Sequence, residues 1–308
     1  MNFSEPVVVR EVGLRDGLQI LARVLPTAHK IDWLRAAHNA GLREIEVGSF
    51  VPASLMPQLA DTAELVALAR TLPGCRPSVL VPNFRGAERA IEVQAHALLL
   101  PLSASQAHSL ANLKRTPDEV VEDIRRIVDL RDAKGSDCLV EVGLSTAFGC
   151  TLQGRVDPAE VLRLLRAVRD AGVDRIGLAD TAGYADPLQA KTLFEQGFDA
   201  LGDKLVTAHF HDTRGLGAAN VFAAWQAGIR RFDACTAGLG GCPHAPGASG
   251  NVATEDVAYL FASMGVPTGL DFAALMALRA QVGHWLEGEA LHGAIWRADL
   301  PKTLAVAA

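Results

Sequence analysis

Basic runs are missing from this chain. Lys and Arg number 29 against 35 Asp and Glu, a formal net charge of −6. With no cationic cluster, nucleic acid and anionic membrane surfaces are poor partners. Long apolar runs are missing as well; none approaches the roughly 20 residues that cross a bilayer as a helix. Cysteine is scarce: Cys75, Cys138, Cys150, Cys235 and Cys242 make an odd count of five with no Cys-x-x-Cys. Neither a disulfide framework nor a thiolate zinc cluster follows. Met1 to Pro6 holds no basic region leading into an apolar core, so a cytoplasmic location is the default expectation. There is no Gly-x-Ser-x-Gly elbow and no His-Glu-x-x-His pair, which counts against a serine hydrolase and a zinc protease of that type. Trp33, Trp225, Trp285 and Trp296 read as packing or interface aromatics, not a cofactor box.

What is present is a regular alternation. Short apolar runs read as strands at Val7–Val12, Glu44–Ser49, Pro77–Val81, Ala97–Pro101, Cys138–Leu144, Arg175–Asp180, Leu205–His211 and Arg231–Thr236. Helical patterns lie between them, among them Pro26–Ala40, Leu55–Thr71, Pro117–Lys134 and Pro158–Ala171. Proline opens and glycine follows several of these, and Thr116 and Asp157 stand as N-caps. Eight strand–helix units predict an α/β fold with a closed parallel (β/α)8 barrel over about residues 7–266. Added helices over about 267–308 would complete one catalytic domain spanning 1–308. An open doubly wound sheet is the alternative. It requires a phosphate-binding glycine turn after an early strand, and Gly13-Leu14-Arg15-Asp16-Gly17 is not that fingerprint.

Parallel barrels place their chemistry where the strands end. Those positions collect Arg15, Asp16 and Gln19, then Glu46 and Ser49, Ser103 and Ser105, Asp180, and finally His209 and His211. The last strand runs into Gly238–Cys242, followed by Asn251. His209 and His211 are two apart on a strand and so share a face. Two imidazoles with nearby oxygen donors suit one divalent ion. Bland readings exist for several of these groups. The two histidines could be packed residues with structural hydrogen bonds. Asp180 could cap the turn after its strand, and Glu46 could be a buried acid paired with Arg43 or Arg15. Cys242 could be an inert thiol.

Five segments carry a resemblance to a known family: Val12–Gln19, Ile45–Val51, Leu178–Gly183, His209–Thr213, and Ala237–Pro243 continuing through Gly247–Asp256. In them the chain resembles the 3-hydroxy-3-methylglutaryl-CoA lyases, metal-dependent enzymes on TIM barrels. The resemblance runs over about residues 7 to 290. It implies a metal, Mg2+ or Mn2+ ahead of Zn2+, held by Asp16, His209, His211 and Asn251. It implies Arg15 facing the thioester oxygen and Glu46, Asp180, His209, Cys242 and Glu255 among the catalytic groups. Gln19, Ser49, Gly240 and Gly241 would contact substrate, the glycines on a loop that closes. An acyl-CoA substrate, retro-Claisen cleavage to acetoacetate and acetyl-CoA, and a homodimer follow from the same resemblance. Other tertiary 3-hydroxyacyl-CoAs, or a condensing or aldol reaction of the superfamily, are the alternatives.

Three loops depart from the family pattern. Ile20-Leu21 stands where the family continues with Asn and an acid. Ala104-Ser105-Gln106-Ala107-His108 stands for Ala-Ser-Glu-x-Phe, and Cys150-Thr151-Leu152-Gln153-Gly154 for Cys-Pro-aromatic-Glu-Gly. From sequence alone, Ile20, Leu21 and Leu152 predict a more apolar substituent on the substrate.

Overall fold

The computed structural model describes residues 3–241, 250–298, 300–302 and 304. Eight parallel strands close into a barrel in sequence order: β1 Val8–Glu11, β2 Glu44–Ser49, β3 Arg76–Leu80, β4 Ala97–Ser103, β5 Leu139–Ser145, β6 Arg175–Asp180, β7 Leu205–Phe210 and β8 Arg231–Ala234. Around them lie α1 Thr27–Asn39, α2 Thr62–Ala69, α3 Phe84–Glu92, α4 Gln106–Leu113, α5 Pro117–Ala133, α6 Pro158–Asp170, α7 Pro187–Leu201, α8 Gly217–Gln226 and α9 Thr254–Ser263. Helix α10, Phe272–Trp285, packs on α1 and closes the ring beyond β8. The barrel is the α/β architecture the alternation predicts. Among the described residues no helix is long and apolar enough to cross a membrane.

Local chemistry fixes the helix starts. Thr116 and Glu119 form a reciprocal capping box at α5 with Pro117 at its first position. Asp157 accepts the Ala159 N–H at α6. The helix expected over Leu55–Thr71 is shorter: a single tight turn at Pro57–Leu59, then α2 from Thr62. Proline restricts the residue before it and lacks an N–H, and the Thr62 hydroxyl turns back to the Leu59 carbonyl at 2.7 Å. The same hydroxyl takes the Ser49 N–H at 3.0 Å, pinning the end of β2. The last strand also stops early, at Ala234, because the Thr236 N–H and hydroxyl turn to the Glu11 carboxylate at 2.9 Å each.

The barrel interior is polar as well as apolar. The Arg10 Nε and Nη2 atoms fork onto Asp233 at 2.7 and 3.0 Å, and Arg10 reaches Glu141 on the opposite strand at 3.0 Å. The Thr207 hydroxyl donates to Glu141 at 2.9 Å. This bidentate, fully buried layer is a floor beneath the C-terminal mouth.

Candidate active site

Directly above the floor, three ligand atoms converge. Asp16, His209 and His211 each offer one, all within 4.8 Å of one another. Asp16 sits on the wide turn Gly13–Gly17 that follows β1. His209 projects from β7, and His211 follows it in an isolated bridge with Asn251. The two Nε2 atoms face each other at 3.2 Å, with Asp16 Oδ2 at 3.9 and 4.0 Å. Asn251 donates to Asp16 Oδ2 at 2.7 Å and to the Leu239 carbonyl at 3.0 Å. Gln19 donates to Asp16 Oδ1 at 2.6 Å.

The surroundings shift the three groups in different directions. His209 presents Nδ1 to Asp233 Oδ2 at 3.1 Å. An ionised carboxylate only accepts, so Nδ1 carries the hydrogen. Burial works to lower the His209 pKa, but the Asp233 hydrogen bond and charge raise it above the ordinary value. Burial, reinforced by His209, holds His211 down at about 4, a neutral imidazole. Burial opposes the Asp16 charge, yet Arg15 and the two histidines hold its carboxyl below the usual range.

The set fits a divalent ion. The Asn251 Oδ1 oxygen is buried with no hydrogen-bond partner, which is costly unless something accepts its lone pairs. Two imidazole nitrogens, a carboxylate and an amide oxygen form a mixed N/O donor set suited to Mn2+, Mg2+ or Zn2+. Glycine is required beside it. A Cβ at Gly240 would lie 2.5 Å from Asn251 Nδ2, and its φ of +118° is in the region that favours glycine.

Arg15 is held over this cluster. Its Nη1 contacts Asp16 at 2.5 Å and its Nε contacts Glu46 at 2.7 Å. Burial would lower its pKa, but the two carboxylates raise it further, so the guanidinium stays cationic. Glu46 is paired with Arg15, one of the two partners its position allows. Asp180 caps its turn, accepting from Tyr184 N and Ala185 N at 2.8 and 3.0 Å, and burial pushes it up to about 6. Glu255 accepts the Ala237 N–H at 3.2 Å and pairs with Arg279, so it anchors the loop that carries Gly240. Ser49 closes the end of β2, its hydroxyl accepting from Val51 N at 3.1 Å. Gly241 is buried at the end of the described loop, and Cys242 lies outside the described residues.

The expectation of an apolar loop lining is corrected in part. Leu21 is 6% exposed and belongs to the core, while Ile20 and Leu152 are 39% and 49% exposed. Sequence reasoning missed Asp233 and Arg10. Their signal was present: Arg10 and Asp233 are charges set inside short strands, where a buried charge demands a partner.

Fold and site define a barrel with a polar N/O cluster and a fixed arginine at its C-terminal mouth. The HMGL-like family model matches residues 7–282, and the chain belongs to that family. An (R)-citramalyl-CoA lyase from Chloroflexus aurantiacus is 40% identical over 89% of this chain and 89% of its own length. A 3-hydroxy-3-isohexenylglutaryl-CoA/hydroxy-methylglutaryl-CoA lyase from Pseudomonas aeruginosa is 37% identical over 90% and 91%. A solved structure of an HMG-CoA lyase from Acinetobacter baumannii, in complex with coenzyme A and 3-methylmalate, superposes with a TM-score of 0.90 at 39% identity, covering 97% of this chain and 96% of that one. The chain is a carbon–carbon lyase of this family.

Proposed function

We propose that the enzyme is a divalent-metal-dependent lyase that cleaves a tertiary 3-hydroxyacyl-CoA, with 3-hydroxy-3-methylglutaryl-CoA the first candidate. The observation that carries this is the Arg15 guanidinium, fixed by Glu46 at 2.7 Å beside the Asp16–His209–His211 cluster.

Asp16, His209, His211 and Asn251 would hold the ion, which supplies Lewis acidity and so lowers the pKa of a bound hydroxyl. The substrate's C3 hydroxyl would pass its proton to the Asp180 carboxylate, raised by burial to about 6, and its oxygen becomes the carbonyl of acetoacetate. The C2–C3 bond breaks and its electron pair enters the thioester as an enolate. Arg15, held cationic, faces the enolate oxygen and needs no reorganisation when charge develops there. C2 then takes a proton to give acetyl-CoA. Cys242, which follows Gly240 and Gly241 in the sequence, is the proposed donor. Gln19 and Asn251 orient Asp16, and Asp233 orients His209. Ser49, Gly240 and Gly241 would border the substrate. A homodimer in the cytoplasm completes the proposal.

The citramalyl-CoA relative, 40% identical, favours a second reading. Citramalyl-CoA lacks one methylene between the tertiary carbon and the carboxylate, and the same bond break yields pyruvate and acetyl-CoA. The test is direct cleavage of both thioesters with Mg2+ or Mn2+, followed by mass spectrometry. Turnover that stops on chelation and returns with metal is the expected result. Full activity in chelator would sink the mechanism.

A further inference from the structure

Of the loop departures, one reaches the inside of the mouth. His108 lies on α4 and is 4% exposed. Its Nδ1 is 2.7 Å from Ser103 Oγ at the end of β4, and Ser103 Oγ is 3.0 Å from Ser145 Oγ at the end of β5. The Ser145 hydroxyl donates to the Leu102 carbonyl at 2.9 Å. A hydroxyl has one hydrogen, so the direction of the chain is determined. Ser145 spends its hydrogen on Leu102, Ser103 must therefore donate to Ser145, and His108 Nδ1–H must donate to Ser103.

Strand register places this chain. Glu141, Gly143 and Ser145 alternate along β5 on one face. Glu141 crosses to Arg10 on β1, so that face is the interior. Ser103 pairs with Ser145, Gly143 pairs with Gly177, and Ala179, two residues beyond Gly177, pairs with His209. The two serines therefore lie on the β4–β5 side of the mouth, on the row of paired residues that continues through Ala179 to His209. Between them and the floor there is room, because a Cβ at Gly143 would meet no atom within 4 Å. Above the level of Glu141 and Arg175, the other inward residues of β4 to β6 are Pro101, Gly177 and Ala179, none with a side-chain hydrogen-bonding group.

We propose that Ser103 is a specificity-determining residue that receives the carboxylate arm of the acyl group, and that His108 is its positioning residue. This deepens the lyase reading and rests on it. With the hydroxyl at the metal cluster and the thioester oxygen at Arg15, the third polar group of the acyl chain meets this sector. The Ser103 O–H turns from Ser145 to the carboxylate. Ser145 keeps its bond to Leu102, and the His108 N–H keeps Ser103 oriented and more strongly polarised. A phenylalanine at 108 could supply no such donor.

The test compares wild type, Ser103→Ala, His108→Phe and His108→Gln, all loaded with Mg2+. The substrates are 3-hydroxy-3-methylglutaryl-CoA, citramalyl-CoA and 3-hydroxy-3-methylbutyryl-CoA, the last lacking the carboxylate. In Ser103→Ala and His108→Phe, kcat/KM for the two acids should fall about 10- to 100-fold, chiefly through KM, the range for a lost hydrogen bond to a charged group. The acid-free thioester should be unaffected, and His108→Gln, which retains an N–H donor, should return to within about 3-fold of wild type. Equal losses on all three substrates, or none, would overturn the proposal. If wild type cleaves none of them the lyase reading itself fails. Calorimetric affinities for the same thioesters then decide the subsite. A wild-type preference for the acids that collapses in Ser103→Ala supports it, and equal affinities refute it.

Discussion

Asp233 shows how much of the site depends on one residue that touches no substrate. It takes the Arg10 fork on its underside and His209 Nδ1 at 3.1 Å above. Burial opposes its charge, but Arg10 and His209 hold its carboxyl well below the ordinary range. Asp233→Asn keeps the shape and removes the charge. Asp233 Oδ2 accepts from both Arg10 Nη2 and His209 Nδ1 while Oδ1 accepts from Arg10 Nε; an amide must turn its NH2 toward one of these donors, so the hold on the imidazole tautomer is weakened. Loss of such a partner typically weakens metal binding by about 10- to 100-fold. Calorimetric titration with Mn2+, alongside circular dichroism to show the fold intact, reads this directly; an unchanged affinity would mean that Asp233 serves only the barrel floor. The cluster of Asp16, His209 and His211 was legible because strand ends are few and ionisable groups there are conspicuous. Asp233 was not, because its partner lies across the barrel, and no local spacing connects residue 10 to residue 233.

At the scale of elements, the segment after α10 acts as a strap on the loop that follows β8. Asp256 on α9 accepts the Ala294 and Ile295 N–H groups at 2.8 and 2.9 Å, and the His292 N–H reaches the Ala237 carbonyl at 2.8 Å. Trp296 lies over Arg279, its ring centroid 5.0 Å from the guanidinium carbon, while Arg279 pairs with Glu255. The loop so held runs to Leu239, whose carbonyl takes the Asn251 amide at 3.0 Å. Asp256→Ala should therefore raise hydrogen exchange at the amides of residues 292–297 and across 237–239, at a cost of about 1 kcal/mol in stability. Unchanged protection at 237–239 would separate the strap from the site. The strand and helix pattern was readable because apolar alternation and proline–glycine punctuation are local signals. The shortened α2 was not, because Thr62 answers to Leu59 and Ser49 at once. Nor was the fate of Leu21: its side chain enters the core rather than the mouth, a matter of loop path that composition does not encode.

The whole molecule carries these buried charges as a dependence of stability on pH. Burial pushes the Glu255 carboxyl up to about 7 against Arg279, and Asp180 up to about 6 against its two N–H donors. For a carboxyl whose pKa is raised on folding, the native state binds the proton more tightly than the unfolded chain. Below the ordinary carboxylate range both states are protonated, and the contribution is fully present. As pH rises the unfolded chain ionises first, and stability is lost until the native group ionises too. From an ordinary value of 4.5 to about 7, Glu255 alone corresponds to a loss of order 3 kcal/mol. Glu255→Gln cannot titrate and removes this slope, leaving those of the other shifted groups, Asp180 and, with opposite sign, His211 among them. The variant will be less stable at acid pH, because Arg279 loses its partner, so the slope and not the absolute stability is the quantity to compare. Urea unfolding between about pH 5 and 8 should give a wild-type slope of stability against pH more negative than that of the variant, by up to the one-proton limit of about 1.4 kcal/mol per pH unit. Parallel slopes would show that Glu255 is ionised throughout, its pair with Arg279 outweighing burial. The strap would then be held by a full ion pair at every working pH, and the loop carrying Gly240 would not change its anchoring with pH.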